Sequence, residues 1–306
     1  MGHDTKRDAS VLILAGTTAS GKTELAIELA REFDAEIVGA DSRQVYRDMP
    51  VGTAAPSADQ LAAVPHHLIG FLDPSEGYSA ARYVRDAIQA LDAIRARGKR
   101  AIITGGTGFY IRALLGGVAL APHYDQTLRD RLAREAVVHR PEFLYEWLRR
   151  RDPRRAIAIE RNDTYRILRA LEVSMTARTR HDPAARTLAG EDFASLLVFL
   201  DVPLDVVDAR IAHRTGRMLD AGLIEEAERV GSVAVAGSAV GYPQAVAHLR
   251  GWSTRKELRA SLERATRRYA RRQRTWFRGE PAALWLAPES VRAAVREKLG
   301  WSAKRD

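Results

Sequence analysis

The chain has 306 residues, 46% of them hydrophobic and 28% charged, and it carries a formal net charge of +9; that length and apolar share suffice for a full α/β core plus a smaller second unit. It contains no cysteine, which excludes disulfides, cysteine-ligated zinc and thiol catalysis and suits a reducing compartment. No apolar run approaches the ~20 residues of a membrane span and the segment from Met1 to Asp8 has no signal-peptide core, so a cytoplasmic protein with no membrane partner is expected.

The first strand signal is Val11-Leu12-Ile13-Leu14-Ala15, which runs directly into Gly16-Thr17-Thr18-Ala19-Ser20-Gly21-Lys22-Thr23. That octapeptide fits G-x-x-x-x-G-K-[ST], and residues 24–33 read as the helix it should open. Glycines let successive N–H groups and a helix N-terminus point at a polyphosphate. Lys22 adds a point charge, and the Thr23 hydroxyl can ligate Mg²⁺. Residues 36–41 read as a second strand ending in Asp41. Ligands of open α/β sheets bind at the carboxyl ends of strands, so Asp41 should face the same crevice. A carboxylate there can bind Mg²⁺ or act as a general base; the plain alternative is a helix N-cap. His66 and His67 are adjacent after Pro65, and side chains so close on a strand diverge. A structural pair is expected rather than a shared metal.

A helix is predicted over 78–97, closed by Gly98, followed by a third strand over 101–104. That strand enters Gly105-Gly106-Thr107-Gly108, a turn that lets backbone and the Thr107 hydroxyl approach a ligand closely. From Pro122 to Ala189 strand patterns vanish, and helices are predicted over 126–139, 142–151, 156–159 and 163–175. After breaks at Pro183 and Gly190, residues 196–201 resume a buried strand. It imitates an hhhhD nucleotide-site strand, but a plain strand followed by a turn Asp201 is the simpler reading. Helices over 204–221 and 255–277 and a short strand over 283–286 complete the pattern. The expected fold is α/β, a P-loop NTPase-like parallel sheet core made of 1–119 and 190–306, with an all-helical insertion over 120–189.

Two arginine sets stand out. Arg210, Arg214 and Arg217 share a helix face, and guanidinium forks suit pyrophosphate oxygens. The plain alternative pairs that face with Asp208, Asp220 and Glu225. In the later helix, Arg264, Arg267, Arg268, Arg271, Arg274 and Arg278 fall near one face, with Tyr269, Gln273 and Trp276 on another. This reads as a track for a phosphate backbone on a helix anchored in the core, and favours nucleic acid. Trp147, Trp252, Trp285 and Trp301 read as packing residues.

These motifs belong to a longer series of blocks. The series includes Asp41-Ser42-Arg43-Gln44-Val45-Tyr46, Gly52-Thr53-Ala54, Pro65-His66-His67-Leu68-Ile69 and Asp73-Pro74. It continues with Gly105-Gly106-Thr107-Gly108-Phe109-Tyr110, Asn162-Asp163, Arg166 and Arg169-Ala170-Leu171-Glu172-Val173. Its last members are Arg214 with Met218 and Gly222, Gly241-Tyr242, and Ala265-Thr266-Arg267 through Gln273, Thr275 and Trp276. In this order they resemble the tRNA dimethylallyltransferase family from about Val11 to Arg278. The resemblance implies transfer of the dimethylallyl group from dimethylallyl diphosphate to the exocyclic amine of the adenosine 3′ to a tRNA anticodon, releasing diphosphate.

The resemblance also implies roles. The pyrophosphate would lie on Gly16, Thr17, Thr18, Ala19, Ser20, Gly21, Lys22 and Thr23, with Mg²⁺ at Thr23. Asp41 would take the amine proton, while Thr107 and Arg214 contact the departing pyrophosphate. Ser42 and Gln44 would help hold the target base. Arg166, Arg267, Arg271, Gln273 and Arg278 would contact the anticodon stem-loop, together with the helical insertion. A monomer is expected. This chain has Thr17, Ala55, Ser238 and Pro243 where the family usually carries proline, lysine, arginine and a basic residue. The last three lose positive charge near the expected substrate channel, so a lower tRNA affinity or rate is expected. Two alternatives stay open on the residues: an ATP-using small-molecule kinase with Arg214 and Arg217 as a lid, and a catalytically impaired tRNA-binding homologue.

Overall fold

The protein is described here by a computed structural model, which covers residues 10–118, 126–176, 186–191, 193–231 and 238–304. In chain order the first elements are β1 (Ser10–Gly16), α1 (Lys22–Glu32), β2 (Ala35–Gly39), α2 (Pro50–Thr53), α3 (Ala58–Ala63) and β3 (His66–His67). Then come α4 (Ala80–Ala96), β4 (Arg100–Gly105), α5 (Gly108–Leu114), α6 (Gln126–Val138), α7 (Pro141–Arg151), α8 (Pro153–Ile157) and α9 (Thr164–Thr176). The remainder is β5 (Ala194–Leu200), α10 (Leu204–Asp220), α11 (Leu223–Val230), α12 (Tyr242–Leu249), α13 (Arg255–Arg278), β6 (Leu284–Leu286) and α14 (Pro288–Leu299).

All six strands run parallel in one sheet, in the order β3-β2-β4-β1-β5-β6. Because the strands are parallel, the carboxyl ends of β1, β2, β4 and β5 share one edge, and β1 and β4 are in register from Val11↔Ala101 to Ala15↔Gly105. Every residue of β1 and β2 is buried, as a strand covered on both faces requires. One apolar layer joins Leu12, Leu14, Leu29, Phe33, Ile37, Val198, Val291 and Trp301. The strand expected third is in fact β4, because β3 adds a two-residue edge strand. There His67 Nε2 lies 2.7 Å from Glu36 Oε2, and His66 Nδ1 lies 2.8 Å from Val64 O. The histidines are a structural pair with separate partners.

The chain divides into two compact units, residues 1–117 with 186–306, and residues 118–185. The expected borders at 119–120 and the proline breaks at Pro122 and Pro183 lie outside the described residues. The second unit holds α6 to α9 around Leu132, Leu144, Leu148, Ile167 and Leu171. Its buried Glu172 is paired with Arg129 at 3.2 Å and Arg169 at 2.7 Å. Among the tryptophans, Trp301 is buried and donates to Ser10 Oγ at 2.6 Å. Trp252 departs from its packing role: it is 71% exposed, after a left-handed Gly251, with the Arg250 guanidinium 5.1 Å from its ring.

Candidate active site at the carboxyl edge of the sheet

The loop between β1 and α1 folds as the motif demands. Ala19 (φ 61°) and Gly21 (φ 89°) are left-handed, which turns successive N–H groups to one side and makes a nest for an anion. A Cβ on Gly16 would stand 2.6 Å from Ser20 Oγ, so glycine lets the loop close without displacing that hydroxyl. Gly21 caps α1 without a side-chain hydrogen bond, leaving first-turn amides for an outside acceptor. Ser20 Oγ is buried with no partner among the described residues. Two cations hold the loop's carbonyls: Lys22 Nζ donates to Thr17 O at 3.3 Å, and Arg210 Nη1 donates to Ser20 O at 2.9 Å.

Lys22 is pushed down from 10.5 to about 8. Burial is the main cause, the Asp41 charge opposes it, and Arg214 reinforces it. Arg214 is likewise lowered, chiefly by burial, with Glu24 and Asp41 opposing. Lys22, Asp41 and Arg214 therefore share one electrostatic environment. Arg214 also donates through Nη2 to the Thr18 hydroxyl. Of the three arginines on α10, two reach the loop and Arg217 stays exposed. Two of their expected acidic partners are engaged elsewhere: Asp208 with Arg267 and Arg271, Asp220 with Arg255.

Asp41 follows β2, and its Oδ1 accepts from Arg43 N at 2.9 Å, which tightens the turn that presents Ser42 and Gln44. Thr107 follows β4; its hydroxyl accepts from Ser42 N at 2.9 Å, and its own N–H donates to Ala40 O at 3.1 Å. A Cβ on Gly105 would lie 2.1 Å from Ala40 O. The glycine turn is thus what lets Thr107 and Asp41 approach. Tyr269, expected on the face of the helix away from the arginines, joins this environment: burial raises its phenol above the ordinary value, and the Asp41 charge adds to the rise. Gln44 donates through Nε2 to Thr53 O (3.1 Å) and Ala54 O (2.9 Å), which uses both of its amide protons. Arg43 Nη2 donates to Ser238 Oγ at 3.0 Å, so a guanidinium stands beside the position where the family's own arginine is replaced.

The sequence did not reveal how α2 is held. Buried Glu226 accepts from Val51 N (2.9 Å), Gly52 N (2.6 Å) and the Tyr242 hydroxyl (2.7 Å), capping a four-residue helix whose far end Gln44 grips.

On α13 the arginine face differs from the spacing-based expectation. Arg264, Arg268, Arg271, Arg272 and Arg278 are exposed. Arg267 turns toward Asp208 (3.8 Å) and Glu263 (3.1 Å), and Arg274 pairs with Asp201 (2.8 Å). Asp201 is therefore a strand-end ion-pair partner, in line with the plain reading of 196–201. Gln273, expected among the RNA contacts, is 6% exposed. Its Oε1 accepts from Thr18 N at 2.8 Å and its Nε2 donates to Gly106 O at 3.0 Å. Arg166 lies on α9 in the second unit, exposed, with Asp163 3.4 Å away.

No three His, Cys, Asp or Glu side chains form a metal cage among the described residues. The Thr23 hydroxyl and Asp41 carboxylate are hard oxygen donors. They suit Mg²⁺, which keeps waters and completes its sphere with substrate phosphates.

Residues 44–280 match the sequence signature of the family described as IPP transferase. The chain is 44% identical to a tRNA dimethylallyltransferase of Anaeromyxobacter dehalogenans, covering 91% of this chain and 95% of that protein. It is 42% identical to tRNA dimethylallyltransferase 1 of Pelobacter propionicus, covering 95% and 97%. Among solved structures, the tRNA isopentenylpyrophosphate transferase of Bacillus halodurans superposes with a TM-score of 0.69 at 31% identity, covering 95% of this chain and 97% of that one. A eukaryotic dimethylallyltransferase acting on tRNA shares the fold with a TM-score of 0.75 at 23% identity, over 97% of this chain and 81% of its own.

Proposed function

The chain belongs to the IPP transferase family of tRNA dimethylallyltransferases, and we propose that it attaches a dimethylallyl group to the exocyclic amine of the adenosine 3′ to the anticodon. It is a prenyl transferase acting on tRNA with dimethylallyl diphosphate as donor. The observation that carries the residue assignment is the shared environment of Lys22, Asp41 and Arg214 at the edge where Thr107 also lies.

In this reading the diphosphate sits in the nest from Gly16 to Thr23. Lys22 and Arg214 meet its charge, and the first-turn amides of α1 supply donors aimed at the leaving oxygen. The Thr23 hydroxyl would hold Mg²⁺, which when bound would supply further positive charge to the leaving group. The amine nitrogen forms the new bond to the allylic carbon as the carbon–oxygen bond breaks, and the electron pair leaves with diphosphate. Asp41 accepts the proton that the amine loses. Thr107 steadies the turn beside Asp41 and contacts the departing diphosphate, while Ser42 and the Oε1 of Gln44 hold the extruded base. Bringing a base out of a loop rather than a duplex keeps the unstacking cost to a few kcal/mol. The exposed arginines of α13 and the helical unit, including Arg166, grip the stem-loop through its phosphates. The protein acts in the cytoplasm as a monomer.

The test is Asp41→Asn. A positioned general base contributes about 10²–10⁴-fold, so single-turnover transfer should fall by that order while diphosphate and RNA affinities persist. A near-normal rate removes Asp41 from the role.

A further inference from the structure

α13 touches the carboxyl ends of three strands. Arg274 Nη1 donates to Val202 O (3.3 Å) and pairs with Asp201 just after β5. Trp276 covers Gly108 beyond β4, where a Cβ would stand 2.2 Å from its ring. Between them, Gln273 reaches both the loop after β1 and the turn after β4. Its amide is buried and both ends are used, one by Thr18 N and one by Gly106 O, and the Tyr269 side chain is a further hydrogen-bond partner. A Cβ on Gly106 would lie 2.1 Å from Gln273 Nε2, so this glycine makes room for the amide. On the same helix, Arg271, Arg272 and Arg278 are exposed.

An amide is suited to this place. It offers one acceptor and one donor at fixed separation, matching one backbone N–H and one carbonyl. Removing the donor leaves the buried Gly106 carbonyl unpaired, which costs more than the net value of a hydrogen bond. Thr18 is also the residue whose hydroxyl Arg214 holds, so the amide and the guanidinium fix one P-loop residue from two sides.

We propose that Gln273 is a positioning residue for the diphosphate loop rather than an RNA contact: by joining Thr18 N to Gly106 O it holds the anion nest and the Thr107 turn in register. This rests on the transferase reading above for the identity of the anion. It has a consequence for how the two substrates divide α13, since the inward side serves the donor and the outward arginines serve the RNA.

The experiment uses full-length protein carrying Gln273→Met, which keeps volume and loses every amide hydrogen bond without adding charge, and Gln273→Glu, which keeps an acceptor, loses the donor and adds a negative charge. Inorganic pyrophosphate with Mg²⁺ is titrated by calorimetry, and an unmodified anticodon stem-loop RNA is titrated separately by fluorescence anisotropy. Melting temperatures are recorded for every variant. The expected result is a loss of pyrophosphate affinity of at least about tenfold, because the anion nest is no longer held in its binding geometry, with RNA affinity within twofold of wild type. If Gln273→Glu does not fold, Gln273→Met alone decides. Unchanged pyrophosphate affinity overturns the proposal, as does loss of RNA affinity instead of, or equally with, pyrophosphate affinity. Neither titration involves turnover, so failure here leaves wild-type prenyl transfer standing, and failure of wild-type transfer leaves the titrations readable.

Discussion

Lys22 is the residue whose ionisation is most informative. Its folded value near 8 lies below the ordinary 10.5 because burial disfavours the ammonium. Between those values the unfolded chain binds more protons than the folded one, so Lys22's contribution to stability rises with pH through that window. A diphosphate beside it favours the charged form, so binding above pH 8 should take up protons and weaken as pH rises. Calorimetry at about pH 8.5 in buffers of different ionisation enthalpy measures this directly, and zero proton uptake would remove Lys22 from the anion site. Residue types and spacing made Lys22, Thr23 and Asp41 legible, since each occupies a motif position with a physical task. Gln273 and Glu226 were not legible in their roles. Gln273's partners are backbone groups 255 and 167 positions away, and Glu226's lie 175 and 174 positions away. No local pattern marks a side chain that serves distant amides.

At the level of the element, α13 shows how far periodicity reaches. The spacing of arginines predicted a basic face, and Arg264, Arg268, Arg271 and Arg278 do face solvent. Arg267 and Arg274 sit at the edge of that face, where a single helical turn of neighbours decides the outcome. Asp208 on α10 and Asp201 after β5 draw them inward, and neither carboxylate is visible from α13's own sequence. Removing exposed arginines should therefore act on RNA alone. Arg268→Gln with Arg272→Gln is expected to reduce the slope of log affinity against log salt by about one per lost phosphate contact, with pyrophosphate binding unchanged. An unaltered slope would show that the track is not a phosphate contact. Elements of strong period, such as α4, α7, α9, α10 and α13, were readable to within a few residues. The four-residue α2 and the two-residue β3 were not, because tertiary hydrogen bonds and a single edge pairing define them rather than propensity.

For the whole molecule, alternation of strand and helix announced a parallel sheet, and the loss of strand patterns after Pro122 announced a helical segment. The observed sheet then explains why one edge gathers the chemistry: β1, β2 and β4 all deliver their following loops to it. In the proposed reading, the basic charge and the second unit would add a grip on RNA that the sheet alone lacks. The central claim is that this assembly moves a dimethylallyl group onto one adenosine, and the direct test is label transfer from radiolabelled dimethylallyl diphosphate with Mg²⁺. Two unmodified tRNAs are offered, identical except for adenosine or guanosine 3′ to the anticodon. The account predicts label in the adenosine tRNA alone. Label in neither, or equally in both, would contradict it.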